Sequence, residues 1–347
     1  MKRVALIGAG GHGLSHRRNL RRLADLGRLE IAGYCDRNPV DHEPGIPFFE
    51  DHTQLLSTVR PELVIICTPP HTHLPIALDC LAAGADLLLE KPPVTSLAEH
   101  DVLAAAVRDA GRACQVGFQA LASPALPYLV GRSGPVSAAG AWWRPDTYYK
   151  RAPWAGRQAS FDGALVNPFA HALMQALVVA DLDPVTVELE RYRSRDIQTD
   201  DNTFLRATGT DGRTVTVAVS LASAVFIAGE ITVEGAVSEY PTDRLRLPGE
   251  SDFSEMPGRV DLLENLISGE PLIVPLALTR PFTAVAEAIV ASAPPYPIPA
   301  EFLTPHPSGE GNAVPGIDEL VRQVASTGRL PSELGVPWAR TPLHLSL

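Results

Sequence analysis

The sequence predicts two folded parts: an α/β unit with a parallel, doubly wound sheet over residues 1–120, and an α+β unit with a mostly antiparallel open sheet over 121–347. Three observations carry this. Up to Gly117, apolar runs without alternation are separated by helical stretches, the pattern of strands buried on both faces. Beyond Gln119 the strands alternate apolar and polar, and one clear helix interrupts them. A glycine-rich turn, Gly8-Ala9-Gly10-Gly11-His12-Gly13, falls between the first strand and the first helix.

In order, Val4–Ile7 is an apolar strand ending at Gly8, and about Leu14–Leu26 is a helix stopped by Gly27. Strands follow at Glu30–Tyr34, Leu63–Cys67, Asp86–Leu89 and Cys114–Gly117. Helices fall at Gln54–Thr58, Leu74–Ala83 and Leu97–Ala110, the last with Ser96 placed to cap its start and Gly111 past its end. In the second part a short helix is expected at Pro124–Val130 and a longer one at Pro168–Ala180. Its strands are Val136–Arg144, Val185–Arg195, Thr203–Thr208, Thr214–Leu221 and Glu230–Val237. Val260–Ile267, Arg280–Ala291 and Val314–Ser326 read as helices, and Ala293–Pro307 as a proline-rich surface loop.

The 347 residues carry a net charge of −11. The one basic cluster, Arg17, Arg18, Arg21 and Arg22, lies on a helix and reads as a solvated face, so neither nucleic acid nor an anionic membrane is an expected partner. Cys35, Cys67, Cys80 and Cys114 are scattered through apolar elements and read as free thiols of a reducing compartment. The chain runs into its first strand without an apolar leader, and no apolar stretch is long enough to span a bilayer. A cytoplasmic location is expected.

Gly8, Gly10 and Gly13 are spaced G-x-G-x-x-G between a strand and a helix, the context of a Rossmann dinucleotide cradle. The first glycine makes the turn, the second admits the pyrophosphate, and the third lets helix and strand pack closely. The helix N-terminus then faces the anion. Gly11, His12 and Leu14 complete the expected contact. Asp36, at the end of the second strand, suits the ribose hydroxyls and favours NAD. Arg37 beside it would suit a 2′-phosphate, or stack on adenine, so NADP stays open. Thr68, Pro69, Pro70 and His73 lie in the loop after the third long strand, at the carboxyl edge where ligands sit. His73 equally reads as the start of the next helix. The pair His71 and His73 has no accompanying carboxylate or thiol cluster, and no metal is expected.

At Glu90-Lys91-Pro92 the sequence resembles the glucose–fructose oxidoreductase / inositol dehydrogenase / MocA family. The supporting segments are VALIGAGGHG, YCDRN, VIICTPPHTHLPIAL, LLLEKPPVTS, QVGFQ and DGALVNPFAHALMQAL. The resemblance implies an NAD(P)-dependent dehydrogenase or reductase of sugars, cyclitols or sugar acids. It also implies a homodimer or homotetramer formed through the C-terminal sheet. It places Glu90 at the nicotinamide ribose, although Glu90 is equally placed to pair with Lys91, and Gln119, ending QVGFQ, is assigned to the cofactor. A regulatory dinucleotide sensor without turnover and an NAD-dependent glycosidase or lyase are the competing readings.

Lys91 also stands out on its own residues. Lysine occurs only at Lys2, Lys91 and Lys150, and Lys91 follows the apolar Leu87-Leu88-Leu89 at a strand's carboxyl end. A partly desolvated lysine there can remove a hydroxyl proton during hydride transfer. His171 is the second acid–base candidate, with Asn167 one helical turn before it on the same face. The family pattern G-G-x-x-x-D-x-x-x-H has Asp where this chain has Asn167, which can orient an imidazole but not balance its charge. Asn167 before Pro168 also suits a helix N-cap. After Gln119 the chain has Ala120-Leu121 where many relatives have an aromatic and an Arg, so an altered substrate pocket is expected. The Trp-, Tyr- and Arg-rich stretch from Trp142 to Arg157 suits a sugar ring, with Tyr149, Trp154 and Arg157 as the candidates alongside Lys91, Asn167 and His171.

Overall fold

In the first part of the chain six strands run parallel: β1 (Lys2–Ile7), β2 (Leu29–Cys35), β3 (Phe48–Phe49), β4 (Leu63–Ile66), β5 (Asp86–Leu89) and β6 (Cys114–Val116). Their order is β3-β2-β1-β4-β5-β6. Between them run α1 (Gly13–Asp25), α2 (His52–Val59), α3 (His73–Ala82) and α4 (Leu97–Ala110). The computed structural model describes residues 1–38, 40–41 and 43–347. Val4–Ile7, Leu63–Ile66 and Leu87–Leu89 are buried throughout, which is why these runs lack alternation. Each Val, Leu or Ile side chain among them contributes about 1.5–3 kcal/mol on leaving water. Strand order reverses at β1, with β2 on one side and β4 on the other, so the loops after β1 and β4 border a crevice where ligands bind in such sheets.

The chain divides into two units, Met1–Phe118 with Val260–Thr283, and Gln119–Arg259 with Ala284–Leu347. The single boundary expected at residue 120 therefore needs correcting. Val260–Thr283 returns to the first unit because β6 is an edge strand with unpaired backbone groups. Val116 N donates to Val274 O at 2.9 Å, and the buried Gln115 side chain bonds Leu262 O, Asn265 and Val274 N. Asp261 caps α6 (Leu262–Ser268) through Leu263 N and Glu264 N and receives the Asn19 amide of α1.

The second unit holds β7 (Val136–Trp143), α5 (Ala170–Ala180), β8 (Pro184–Arg193), β9 (Asn202–Gly209), β10 (Thr214–Ser220), β11 (Ala222–Val233), β12 (Ala236–Tyr240), β13 (Arg244–Arg246) and β14 (Ser254–Glu255). Further on come α7 (Arg280–Ala291), which begins in the first unit, then β15 (Tyr296–Pro297) and α8 (Ile317–Thr327). The sheet order is β14-β13-β12-β11-β7-β10-β9-β8-β15, with Leu343–Ser346 also paired to β8. Pairing is antiparallel except β10 with β7 and β15 with β8. The helix expected at Pro124–Val130 shrinks to one 3-10 turn, Leu126–Tyr128. The single strand expected at Glu230–Val237 is instead the two arms of a hairpin. Val233 pairs with Ala236, and Glu234 and Gly235 both have positive φ, +47° and +77°, as a two-residue type I′ turn requires. Val237 therefore runs back along β11 rather than extending it.

Helices cover both faces of this sheet. Phe169, just before α5, lies against Gly140 of β7, where a Cβ would meet the ring at 2.1 Å. On the opposite face Ile317, Val321 and Val324 of α8 pack with Ala139, Ala141, Ala218 and Ile227. That face of the sheet is thus covered by the chain's own C-terminal helix. No helix of the described residues is long and apolar enough to cross a membrane. All four cysteines are free; Cys35, Cys80 and Cys114 are buried and Cys67 is partly so.

Candidate active site

The glycine turn is held by backbone contact, not by choice of side chain. Gly8 has φ +89°, and a Cβ on it would lie 2.3 Å from Cys67 O, while a Cβ on Gly13 would lie 1.9 Å from Gly8 O. Gly8 N donates to Cys35 O at 2.8 Å, and Cys67 N to Ile7 O at 2.8 Å, so the turn is locked between β2 and β4. Helix α1 starts at Gly13 with no side-chain cap and no acidic residue in its first turn. Its N-terminus is thus left for an external anion, which fits a dinucleotide pyrophosphate. Asp36 reaches the same turn: its carboxylate accepts from Gly10 N at 2.8 Å and from Asn38 N at 2.9 Å. Arg37 is exposed beside it.

The end of β5 is tied to α1. Glu90 is buried, and its carboxylate lies 2.9 Å from His16 Nε2 and 3.7 Å from His12 Nε2. Burial by itself would raise the Glu90 carboxyl. The His16 hydrogen bond and the nearby His12 ring outweigh it and hold the group well below the ordinary carboxylate range. The Glu90 carboxylate in turn raises His12 above its ordinary value, with burial a partial offset. Gly117 faces the Glu90 carboxylate so closely that a Cβ would sit 3.1 Å from it. Among the described residues these three form the one group with metal-ligand composition, their donor atoms within 4.8 Å of one another. The direct His16 contact makes the group a hydrogen-bonded brace. His16 was missed from sequence, although its i, i+4 spacing from His12 put both on one face of α1.

This brace has a pH signature. The raised His12 value means its contribution is full below about 6.5 and fades as pH climbs through the folded-state value. The lowered Glu90 value means its contribution is present above about 4.5 and fades as pH falls through the folded-state value. The pair is therefore strongest between those limits. His12 is largely exposed, so the effect is small, under about 1 kcal/mol. The melting temperature of the parent is expected to decline slightly above pH ~6.5, and a His12→Asn chain should lose that decline. Identical melting profiles would refute the contact.

Lys91 follows Glu90 at the carboxyl end of β5, half-buried, its backbone N donating to Glu90 Oε2 at 3.2 Å. One candidate needs revising: His73 is wholly buried, so it does not face a ligand. Its ring bridges Thr68 O at 2.8 Å and Pro92 O at 3.0 Å, joining the loops after β4 and β5. Thr68 accepts from the Thr72 hydroxyl at 2.8 Å, which shapes the Thr68-Pro69-Pro70 loop. His71 is exposed while His73 is buried, so these two do not act as a ligand pair.

In the second unit the candidates gather around Asp162, which sequence reasoning missed. This fully buried carboxylate accepts from Asn167 Nδ2 at 2.8 Å, Arg151 at 2.6 Å and Gly156 N at 2.7 Å. Asn167 is thus not the N-cap expected of it: α5 begins at Ala170, and the amide serves Asp162 instead. His171 is buried in the first turn of α5, its ring 4.7 Å from that of Tyr240. Trp154 is exposed and stacks on Arg151, and Arg157 is exposed. Tyr149 lies inside the unit with its ring under Arg195, so it is not on the surface with Trp154. Gln119 opens the second unit at the head of a 3-10 turn.

Residues 2–118 match the model of the Gfo/Idh/MocA family, described as an oxidoreductase family with an NAD-binding Rossmann fold. An inositol 2-dehydrogenase from Rubrobacter xylanophilus is 34% identical over 125 residues, which cover 33% of this chain and 34% of that protein. The chain thus matches about a third of the length of such curated relatives. The WlbA dehydrogenase from Bordetella pertussis, solved with NADH and UDP-GlcNAcA, shares the fold at TM-score 0.68 and 21% identity, covering 83% of this chain and 94% of that one. The UDP-N-acetylglucosamine 3-dehydrogenase GnnA from Acidithiobacillus ferrooxidans does so at TM-score 0.68 and 19% identity, covering 83% and 99%. The family match spans residues 2–118, the stretch that carries the glycine turn and the six parallel strands of the first sheet.

Proposed function

We propose that this chain is an NAD-dependent oxidoreductase acting on a hydroxyl or carbonyl group of a sugar, cyclitol or sugar acid. One observation carries the reading: Glu90 is braced to α1 by His16, so the adjoining Lys91 leaves β5 beside the helix that opens the dinucleotide cradle. A bound nicotinamide supplies the hydride acceptor or donor. The proposed work of the protein is proton handling and positioning. Lys91 Nζ takes the hydroxyl proton as the alcohol is oxidised, and returns it in reduction. Gly8, Gly10, Gly11, His12, Gly13 and Leu14 hold the pyrophosphate, and Asp36 the ribose hydroxyls. His171 is the second unit's proposed acid–base group. Asn167 beside it is neutral, but its amide is bonded to the Asp162 carboxylate, so negative charge lies one hydrogen bond away.

The test is a panel of aldoses, inositols and sugar acids with NAD+ and NADP+, read by absorbance of the reduced cofactor. Reduction of NAD+ in preference to NADP+ by at least one panel member is expected, with the preference relaxed in an Asp36→Ala chain. Tight NADH binding with no turnover anywhere in the panel would replace this reading by that of a sensor. Substrate conversion without net NADH would replace it by that of a glycosidase or lyase.

A further inference from the structure

The stretch from Trp142 to Asp162 is cationic in an otherwise acidic chain. It holds Arg144, Lys150, Arg151 and Arg157 against Asp146 and Asp162, where the whole chain has a net charge of −11. The structure distinguishes these cations. Arg151 is neutralised by Asp162 at 2.6 Å and stacked on Tyr148 and Trp154. Lys150 and Arg157 are exposed. Arg144 is half-buried, with Cζ 5.1 Å from the centre of the Trp142 ring and 5.3 Å from that of Tyr148. Its guanidinium meets neutral oxygens, Trp143 O at 3.2 Å and the Tyr148 hydroxyl, and has no carboxylate partner among the described residues.

A second donor beside it is also unmatched. The indole Nε1 of Trp142 is buried and has no hydrogen-bond partner among the described residues. Leaving such a donor unsatisfied costs about 1–3 kcal/mol. The Trp142 ring lies 4.2 Å from that of Phe169, which stands between Asn167 and His171 in sequence at the start of α5. An indole N–H without an acceptor and, beside it, a guanidinium without a carboxylate partner therefore adjoin the helix start that carries the second unit's candidate residues. A guanidinium and an indole N–H can only donate, and the planar fork of Arg matches a carboxylate. The flanking rings hold the fork in place before a ligand arrives.

We infer that Arg144 and the Trp142 indole form the anion-recognising end of the substrate site, and that the substrate is a polyhydroxy compound bearing a carboxylate. The inference rests on the oxidoreductase reading above and narrows its substrate class. It also moves the specificity role from the exposed Arg157 to Arg144.

The test titrates NAD+-saturated protein with D-gluconate, D-glucuronate, D-glucose 6-phosphate, D-glucose and myo-inositol. Binding is read by thermal shift and turnover by NADH formation in the same samples. A carboxylated probe should bind about tenfold or more tightly than the neutral ones. That margin should vanish in Arg144→Gln, shrink in Arg144→Lys, and shrink in Trp142→Phe, with NADH affinity unchanged in all three as proof of folding. Equal binding of neutral probes, preference for the phosphate alone, or a carboxylate preference that survives Arg144→Gln and Arg144→Lys would overturn the assignment. Arg144-dependent carboxylate binding without NADH would overturn the oxidoreductase reading and leave the anion site standing. NADH from neutral probes, unaffected by Arg144→Gln, would do the reverse.

Discussion

A Lys91→Ala chain is expected to bind NADH as the parent does and to turn over its substrate about a hundred- to ten-thousandfold more slowly. Truncation leaves the brace intact, because Glu90 is held by His16 and Gly117 packs on the carboxylate, not on the lysine side chain. The variant removes the half-buried Lys91 side chain beyond Cβ, and with it the ammonium proposed to exchange a proton with the substrate hydroxyl. Steady-state kinetics on the first substrate identified, beside an NADH fluorescence titration, separate the two effects. A kcat that falls while the NADH Kd holds supports proton transfer by Lys91. Full turnover in the variant would sink the mechanism, and lost NADH binding would make Lys91 a cofactor contact.

Gly13→Ala should be the most damaging single methyl group in the first unit. Its Cβ would lie 1.9 Å from Gly8 O, and Gly8 cannot retreat, because its own Cα faces Cys67 O just past the end of β4. One of three pinned backbones must move, at a cost of about 3 kcal/mol or more. Dinucleotide affinity should drop by about a hundredfold or more as the helix start leaves its position. Gly11→Ala is the control. Gly11 has φ +50° but no atom within 4 Å of a built Cβ, so it should cost only about 1–2 kcal/mol of backbone strain. Thermal melts and NADH titrations of both variants read the difference. Equal behaviour would mean that close approach is not what the third glycine of the turn provides.

How much of this was legible in sequence depends on how local each determinant is. The unalternating runs at Val4–Ile7, Leu63–Ile66 and Leu87–Leu89 announce strands covered on both faces, because burial acts on each residue where it stands. Ser96 and Gly111 bound α4 through contacts within a turn of their own positions, and α4 lies where expected. Glu234-Gly235 shows the limit. Apolar alternation continues through the turn, and only the pairing of β11 with β12 reveals that the chain has reversed. Asp162 was overlooked for a related reason: one aspartate in a polar loop carries no mark until Arg151, Gly156 and Asn167 close around it.

By itself, then, the sequence determined the β/α alternation, the glycine cradle with Asp36 at its rim, and Lys91 at a strand end, since each is written in adjacent residues. Tertiary structure alone decided the return of Val260–Thr283 to the edge of β6, the bond between His16 and Glu90, the burial of His73, and the choice of Arg144 among four cations. Each of these depends on which groups meet across tens to hundreds of residues, and on which charges find a partner there and which are left for a ligand.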